Sequence, residues 1–397
     1  MNRTASLPII LFLSMFLTAC SSVHTVEQRV TKDNYQSVSI PEPLSKDEIN
    51  EREPYRFWFN ESSDFLFDQV NNSTPLQVNG DRLNILAISG GGTNGAFGAG
   101  VINGLYDSGE LPEYTVITGI SAGSLMAPFV FAGGEHIARL KTVMLELNDK
   151  MILGERNFLN TLIKDAFTTG ESFYSFIESV YTPEMIEKIA LEHQSGRRLF
   201  IGTTQFDSER LMVWNIGRIA ESDLPNKVTL IHQILAASSS IPGVFPPQFI
   251  EVEENGKRYE ELHVDGGLAT QVFFDIAKTD FGALSDSLGL QNKPYVHVIR
   301  NGLLNVPYQV TPDKGIALLT RTLSSMTVRQ TRGDLYRMMY FSQEYDLDLS
   351  FTFIDDDFEG HKTTKKMFDL QYMTLLYDYG YNKVKHDAVW SKDVPLS

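Results

Sequence analysis

Short apolar runs alternate along the chain with longer stretches where apolar and small residues recur every three or four positions. The run Leu83-Asn84-Ile85-Leu86-Ala87-Ile88 predicts a buried strand that enters the turn Ser89-Gly90-Gly91-Gly92. Gly95, Gly98, Ala99, Ile102 and Leu105 follow at helical spacing, and their small side chains predict a helix pressed closely onto a sheet. Residues 114–118 predict a second strand and residues 124–132 a second helix. Further strands are expected at 199–203, 212–216 and 295–299. The stretches 314–341 and 366–380 carry Met, Leu, Tyr and Phe at helical spacing and read as core faces, part of one of which could form a lid or acyl slot. Strands alternating with helices predict an α/β layer fold with a mostly parallel central sheet. No linker interrupts 81–390, which is read as one domain.

The N-terminal part has a different texture. Residues 20–80 read as an extension, polar from residue 21 with prolines at 41, 43, 54 and 75, and part of it is expected to act as a tether. Within it, Tyr55-Arg56-Phe57-Trp58-Phe59 reads as a segment packed on the main domain. Before it, Arg3 and the apolar residues 7–17 have the layout of a secretory signal, and that run is too short to span a bilayer. Leu17-Thr18-Ala19-Cys20 resembles a bacterial lipobox. That resemblance implies removal of residues 1–19, acylation of Cys20, and firm anchoring by two or more chains. Ser21 in place of an aspartate favours the outer membrane of a Gram-negative envelope. Cys20 is the single cysteine, so no intrachain disulfide and no thiolate metal site are expected.

Charge narrows the partners. A formal charge of −16 argues against nucleic acid, which needs a basic footprint. It also argues against strong electrostatic adhesion to anionic lipid, but leaves open the burial of an acyl chain in an apolar slot. No cluster with metal-ligand spacing is visible, so activity without metal or cofactor is expected.

Three segments carry chemistry. Gly119-Ile120-Ser121-Ala122-Gly123 fits G-x-S-x-G between a predicted strand and a predicted helix. Glycines on both sides let a sharp turn present the Ser121 hydroxyl above the sheet, where free N–H groups at a helix start favour negative charge. The glycine cluster 90–95 lies upstream, and backbone amides in such a turn can converge on an oxyanion. Gly90, Gly92 and Gly95 also satisfy the dinucleotide fingerprint, but the acid expected at the end of the second strand is missing and Ser121 stands near that place. Val264-Asp265-Gly266-Gly267 puts an aspartate at a strand end in an open turn.

Together these segments resemble the patatin-like phospholipases, in which a glycine-rich loop, G-x-S-x-G and D-G-[GA] occur in this order. The block Ala237-Ser238-Ser239-Ser240-Ile241-Pro242-Gly243-Val244-Phe245-Pro246-Pro247 is similar to a further block of that family. The resemblance implies a three-layer patatin-like fold and a Ser–Asp dyad without histidine, acting on a phospholipid or other acyl-ester lipid. It assigns Ser121 as nucleophile, Asp265 as general base, the amides of Gly91, Gly92 and Thr93 as oxyanion hole, Gly119 and Gly123 as the elbow, and Gly266 and Gly267 as the D-G-G motif. One position departs: the family usually has Arg or Lys where this chain has Asn94, which can donate hydrogen bonds but brings no charge. The alternatives are a Ser-His-Asp hydrolase, with His297, His361 or His386 available as base, and a lipoprotein that only binds. His263, two residues before Asp265, reads as structural.

Overall fold

Among the described residues the apolar runs form one nine-stranded sheet. In the computed structural model the strands are β1 (Arg56–Trp58), β2 (Asn84–Ile88), β3 (Val116–Ile120), β4 (Arg198–Gln205), β5 (Arg210–Asn215), β6 (Gln248–Glu254), β7 (Lys257–Asp265), β8 (Tyr295–Leu303) and β9 (Asp348–Ile354). The structure describes residues 28–42, 53–61, 64–149, 170–275, 279–306, 308–364, 366–386 and 389–393. Cys20 and residues 1–19, read above as a secretory signal, lie outside them. Strand order is β1-β5-β4-β3-β2-β8-β9. β4, β3, β2, β8 and β9 run parallel, and the β5 and β1 edge is antiparallel. The parallel strands are buried on both faces, as near-continuous apolar runs require.

The helices are α1 (Gly95–Ser108), α2 (Ala122–Ala132), α3 (Glu135–Glu146), α4 (Glu171–Val180), α5 (Pro183–Gln194), α6 (Ile216–Glu221), α7 (Lys227–Ser238), α8 (Phe281–Ser287), α9 (Gly315–Glu344) and α10 (Leu370–Lys385). Side-chain alternation along the strands feeds two cores. Leu86, Ile88 and Ile117 face one with residues of α1, α2, α7 and α10. Ile85, Ala87 and Val298 face the other with Phe281 and Leu284 of α8 and Leu335 and Met338 of α9. This is the expected α/β arrangement, a mostly parallel sheet with helices on both faces.

Three differences from the sequence reading have physical causes. First, β3 runs two residues further than the predicted 114–118, because Gly119 and Ile120 pair with Ile201 and Gly202 of β4. Ser121 therefore follows the strand directly. Second, the sheet reaches into the extension drawn at 20–80: β1 pairs with β5, and Val30, Val38 and Ile40 are buried. Tyr55-Arg56-Phe57-Trp58-Phe59 does pack on the domain, with Phe57 edge-on to Phe200. Third, the small residues of α1 serve two neighbours. Gly98 faces Ile299 and Asn301 of β8, whereas Gly100 and Gly104 face α10.

At the α1–α10 crossing, a Cβ on Gly100 would overlap the Tyr377 carbonyl and one on Gly380 would overlap the Phe97 carbonyl. Backbone on both sides leaves no flexible atom to yield, and overpacking of this kind costs about 1–3 kcal/mol. Gly100→Ala is expected to lower the unfolding free energy by that amount, read as a lower urea midpoint at unchanged slope; an unchanged midpoint would show that the helices can part without cost.

Candidate active site

The register of β4 brings the two chemically suggestive residues together. β3 pairs with Arg198–Gly202, ending at Ile120 opposite Gly202. β7 comes from the opposite direction along the same edge and ends at Asp265 opposite Thr203. The two strands abut end to end, so the residue after β3 and the last residue of β7 share one point. There the Ser121 Oγ donates to Asp265 Oδ2 at 2.7 Å. Both are buried.

Ser121 has φ 51° and ψ −121°, a conformation that a non-glycine residue holds only when its surroundings over-determine it. The glycines around it allow this. A Cβ on Gly123 would overlap the Ile88 carbonyl, and one on Gly119 would lie 2.7 Å from the Gly123 carbonyl. Hydrogen bonds hold the strained unit. Its N–H donates to Ser238 Oγ at 3.0 Å, and Ser238 Oγ donates in turn to the Gly202 carbonyl at 2.8 Å. Its carbonyl accepts from Ser124 Oγ, the Ser124 N–H and, at 3.3 Å, Ser239 Oγ. The serines of the 237–247 block thus clamp the candidate nucleophile, a role that spacing in the sequence could not reveal because it spans more than a hundred residues.

Asp265 is held as firmly. Its N–H donates to the Ser240 carbonyl at 3.0 Å, its carbonyl accepts from Thr204 Oγ1 at 2.9 Å, and its Oδ1 accepts from the Gly267 N–H at 2.7 Å. Gly266 lets the chain turn against the Gly202 carbonyl, where a Cβ would overlap. Burial raises the Asp265 pKa to about 6, opposed only in part by the hydrogen bonds from Ser121 and Gly267. A carboxylate titrating near 6 is a better proton acceptor at neutral pH than one near the ordinary value.

The glycine turn lies against the serine, a Cβ on Gly90 standing 3.2 Å from that of Ser121. The Gly90 N–H donates to the Gln271 carbonyl, and a single 3-10 turn at Gly92–Asn94 closes with the Asn94 N–H on the Gly91 carbonyl. Gly92 has φ +55°, the left-handed region that favours glycine. Among the described residues no backbone acceptor takes the N–H of Gly91, Gly92 or Thr93. The Asn94 Oδ1 accepts from Tyr372 OH of α10 at 3.2 Å.

Among the described residues no histidine bonds Ser121 or Asp265. His263 is buried between Thr203 Oγ1 and Glu261, and burial lowers its pKa. His297 lies in β8 beside Tyr114, Tyr295 and Trp390. His361 is exposed and bonds the Glu359 carbonyl. His386 caps the end of α10 remote from Tyr372. Among the described residues no group of three or more His, Cys, Asp and Glu side chains could hold a metal ion, and no helix is long and apolar enough to cross a membrane.

Comparison with known proteins gives a family match and several distant relatives. Residues 86–278 match the family model for patatin-like phospholipases. An uncharacterized protein of Acanthamoeba polyphaga mimivirus is 25% identical over 255 residues, 59% of this chain and 80% of its own length. Patatin-2-Kuras 4 of Solanum tuberosum is 25% identical over 215 residues, 51% of this chain and 55% of its own. Among solved structures, VipD from Legionella pneumophila aligns with a TM-score of 0.39 at 12% identity, over 79% of this chain and 68% of that one. A human GIVD cytosolic phospholipase A2 aligns with a TM-score of 0.32 at 11% identity, over 78% and 58%.

The raised pKa of Asp265 has a consequence for stability that is independent of any catalytic role. A carboxyl whose folded pKa lies above its unfolded value contributes stability below the unfolded pKa, and loses it as pH rises through about 6. Asp265→Asn removes a charge that the fold buries at cost. At pH 8 its thermal midpoint is expected to equal or exceed that of the unaltered protein, the margin shrinking toward pH 4. A midpoint lowered by the same amount at both pH values would contradict the assignment of the shift to burial.

Proposed function

On the premise that residues 86–278 carry a patatin-like phospholipase domain, we propose that the protein is a serine acyl hydrolase of lipids working through a Ser121–Asp265 dyad. The observation that carries this reading is the 2.7 Å bond between a strained, clamped serine hydroxyl and a buried carboxylate of raised pKa. As Ser121 Oγ attacks the ester carbonyl carbon, its proton passes to Asp265 Oδ2. The tetrahedral oxyanion is received by the free N–H groups of Gly91, Gly92 and Thr93. The C–O bond to the alcohol breaks, and the leaving oxygen takes the proton from Asp265. Water then gives a proton to Asp265 and attacks the acyl-enzyme, and the Ser121 oxygen departs with that proton as the fatty acid leaves. No step calls on a metal or cofactor.

Exposed apolar side chains beside the Asp265 turn and along α9 support a lipid substrate. Leu268, three residues past Asp265, is 47% exposed, and its carbonyl accepts from Gln330 of α9 at 3.3 Å. Leu323 and Met326, seven and four residues before Gln330, lie on the same helix face and are 56% and 60% exposed. The reading includes acylation of Cys20 and residence at the outer membrane, for which the lipobox-like Leu17-Thr18-Ala19-Cys20 is the support.

The test is hydrolysis of a short p-nitrophenyl ester and of phosphatidyl vesicles, with EDTA present. Ser121→Ala and Asp265→Asn are each expected to lower kcat/KM by at least about 10³-fold, while His361→Ala and His386→Ala stay near the unaltered rate. Because the base must be ionised, kcat/KM is expected to fall about tenfold per pH unit below about 6. Activity that survives Ser121→Ala, or that is lost with either histidine, would overturn the dyad.

A further inference from the structure

Beneath the glycine turn lies a buried cation with no part in the scheme above. Arg300, near the end of β8, is only 3% exposed. Its Nη1 donates to the Gly90 carbonyl at 3.0 Å and approaches Ser89 Oγ at 3.4 Å. Ser89 Oγ also donates to the Gly90 carbonyl, at 2.7 Å, and accepts from the Asn301 N–H at 2.8 Å. Two donors, one of them cationic, therefore converge on one carbonyl oxygen. The next residue is fixed too: a Cβ on Gly91 would overlap the Asn301 carbonyl, and Asn301 Nδ2 donates to the Ser89 carbonyl at 2.8 Å.

The Gly90 carbonyl and the Gly91 N–H belong to the same peptide unit. A positive charge on the oxygen draws electron density through the amide resonance and makes the N–H at the other end a stronger donor. We propose that Arg300 is a positioning residue for the oxyanion hole, polarising the Gly90–Gly91 peptide so that the Gly91 N–H binds the developing oxyanion more strongly than an unassisted amide would. This rests on the reading of Ser121 as nucleophile.

The chain invests in this placement. A buried guanidinium is costly unless paired, and the Arg300 Nε lacks a hydrogen-bond partner. The charge that draws on it is Asp334 of α9, whose Oδ2 is engaged by Thr270 Oγ1 and the Gln271 N–H, while Gln271 supplies the carbonyl that holds the Gly90 N–H. Burial lowers the Arg300 pKa only to about 10, so it remains a cation at neutral pH. Arg300 also lies outside the matched residues 86–278, on a strand that the family comparison does not reach.

The experiment uses Arg300→Met, Arg300→Lys and Ser89→Ala, with kcat and KM on a soluble p-nitrophenyl ester, and the Gly91 amide proton shift by NMR in a phosphonate adduct of Ser121. Arg300→Met is expected to lower kcat about 10–10²-fold, somewhat less than the loss of a whole donor. KM should stay within about threefold, and the Gly91 proton should move upfield. Arg300→Lys, which keeps the charge, is expected to recover most of kcat, and Ser89→Ala to lose several-fold with a smaller upfield move. A folded Arg300→Met protein with unchanged kcat and unchanged Gly91 shift would overturn the proposal. If that variant does not fold, Ser89→Ala decides by the same two readings. An unaltered protein that neither hydrolyses the ester nor forms the adduct would instead overturn the Ser121 reading, and this proposal with it.

Discussion

The shared edge of β4 is the constraint on which the site depends. A parallel strand, β3, and an antiparallel one, β7, use successive segments of one strand edge, so that the first ends where the second ends. Backbone hydrogen bonds set that register, and a slip of one residue would turn every side chain to the opposite face. Ser121 and Asp265, 144 residues apart, are therefore joined by sheet geometry before any side-chain preference acts. The pairing of β2 with β3 and β8 then sets the glycine turn and Arg300 on the same rim, because the C-terminal ends of parallel strands lie together.

Two unfavourable terms are concentrated at that rim. Ser121 is held at positive φ, and Asp265 carries its charge in a buried place. Each is offset locally: the serine by Ser238, Ser239 and the close approach of Gly119 and Gly123, the aspartate charge by the Ser121 hydroxyl and the Gly267 amide, while Thr204 and Ser240 hold its backbone. Strain and desolvation have opposite uses here. The first lifts a hydroxyl clear of its own helix, and the second raises the basicity of the group that bonds it. Neither would persist on a mobile loop, and both are tied to β4.

The parts of this arrangement that were legible in the sequence are those encoded locally. The glycine turn, the elbow and the Asp265 turn each carry their conformation in neighbouring residues, and the alternation of apolar runs gave the layer order. What could not be read depends on pairing across the chain. The patch 55–59 was legible as packed on the domain, but not as a strand of its sheet until β5 stands beside it. Ser238 resembles an ordinary helix-end serine until the Ser121 N–H meets it. Arg300 lies one residue past the strand read at 295–299, and only the folded chain shows its bond to the Gly90 carbonyl. The small residues of α1 were legible as close contacts but not as to partner, since a glycine's pattern does not say whether sheet or helix approaches.

The central claim is that Ser121 is a nucleophile made reactive by Asp265 alone. It is tested most directly by treating the protein with a long-chain alkyl fluorophosphonate and locating the adduct by mass spectrometry. The account predicts one adduct per chain, on Ser121, forming more slowly as pH falls through about 6 and failing to form in Asp265→Asn. An adduct on a different serine, or labelling of Ser121 that continues at full rate in Asp265→Asn, would contradict it.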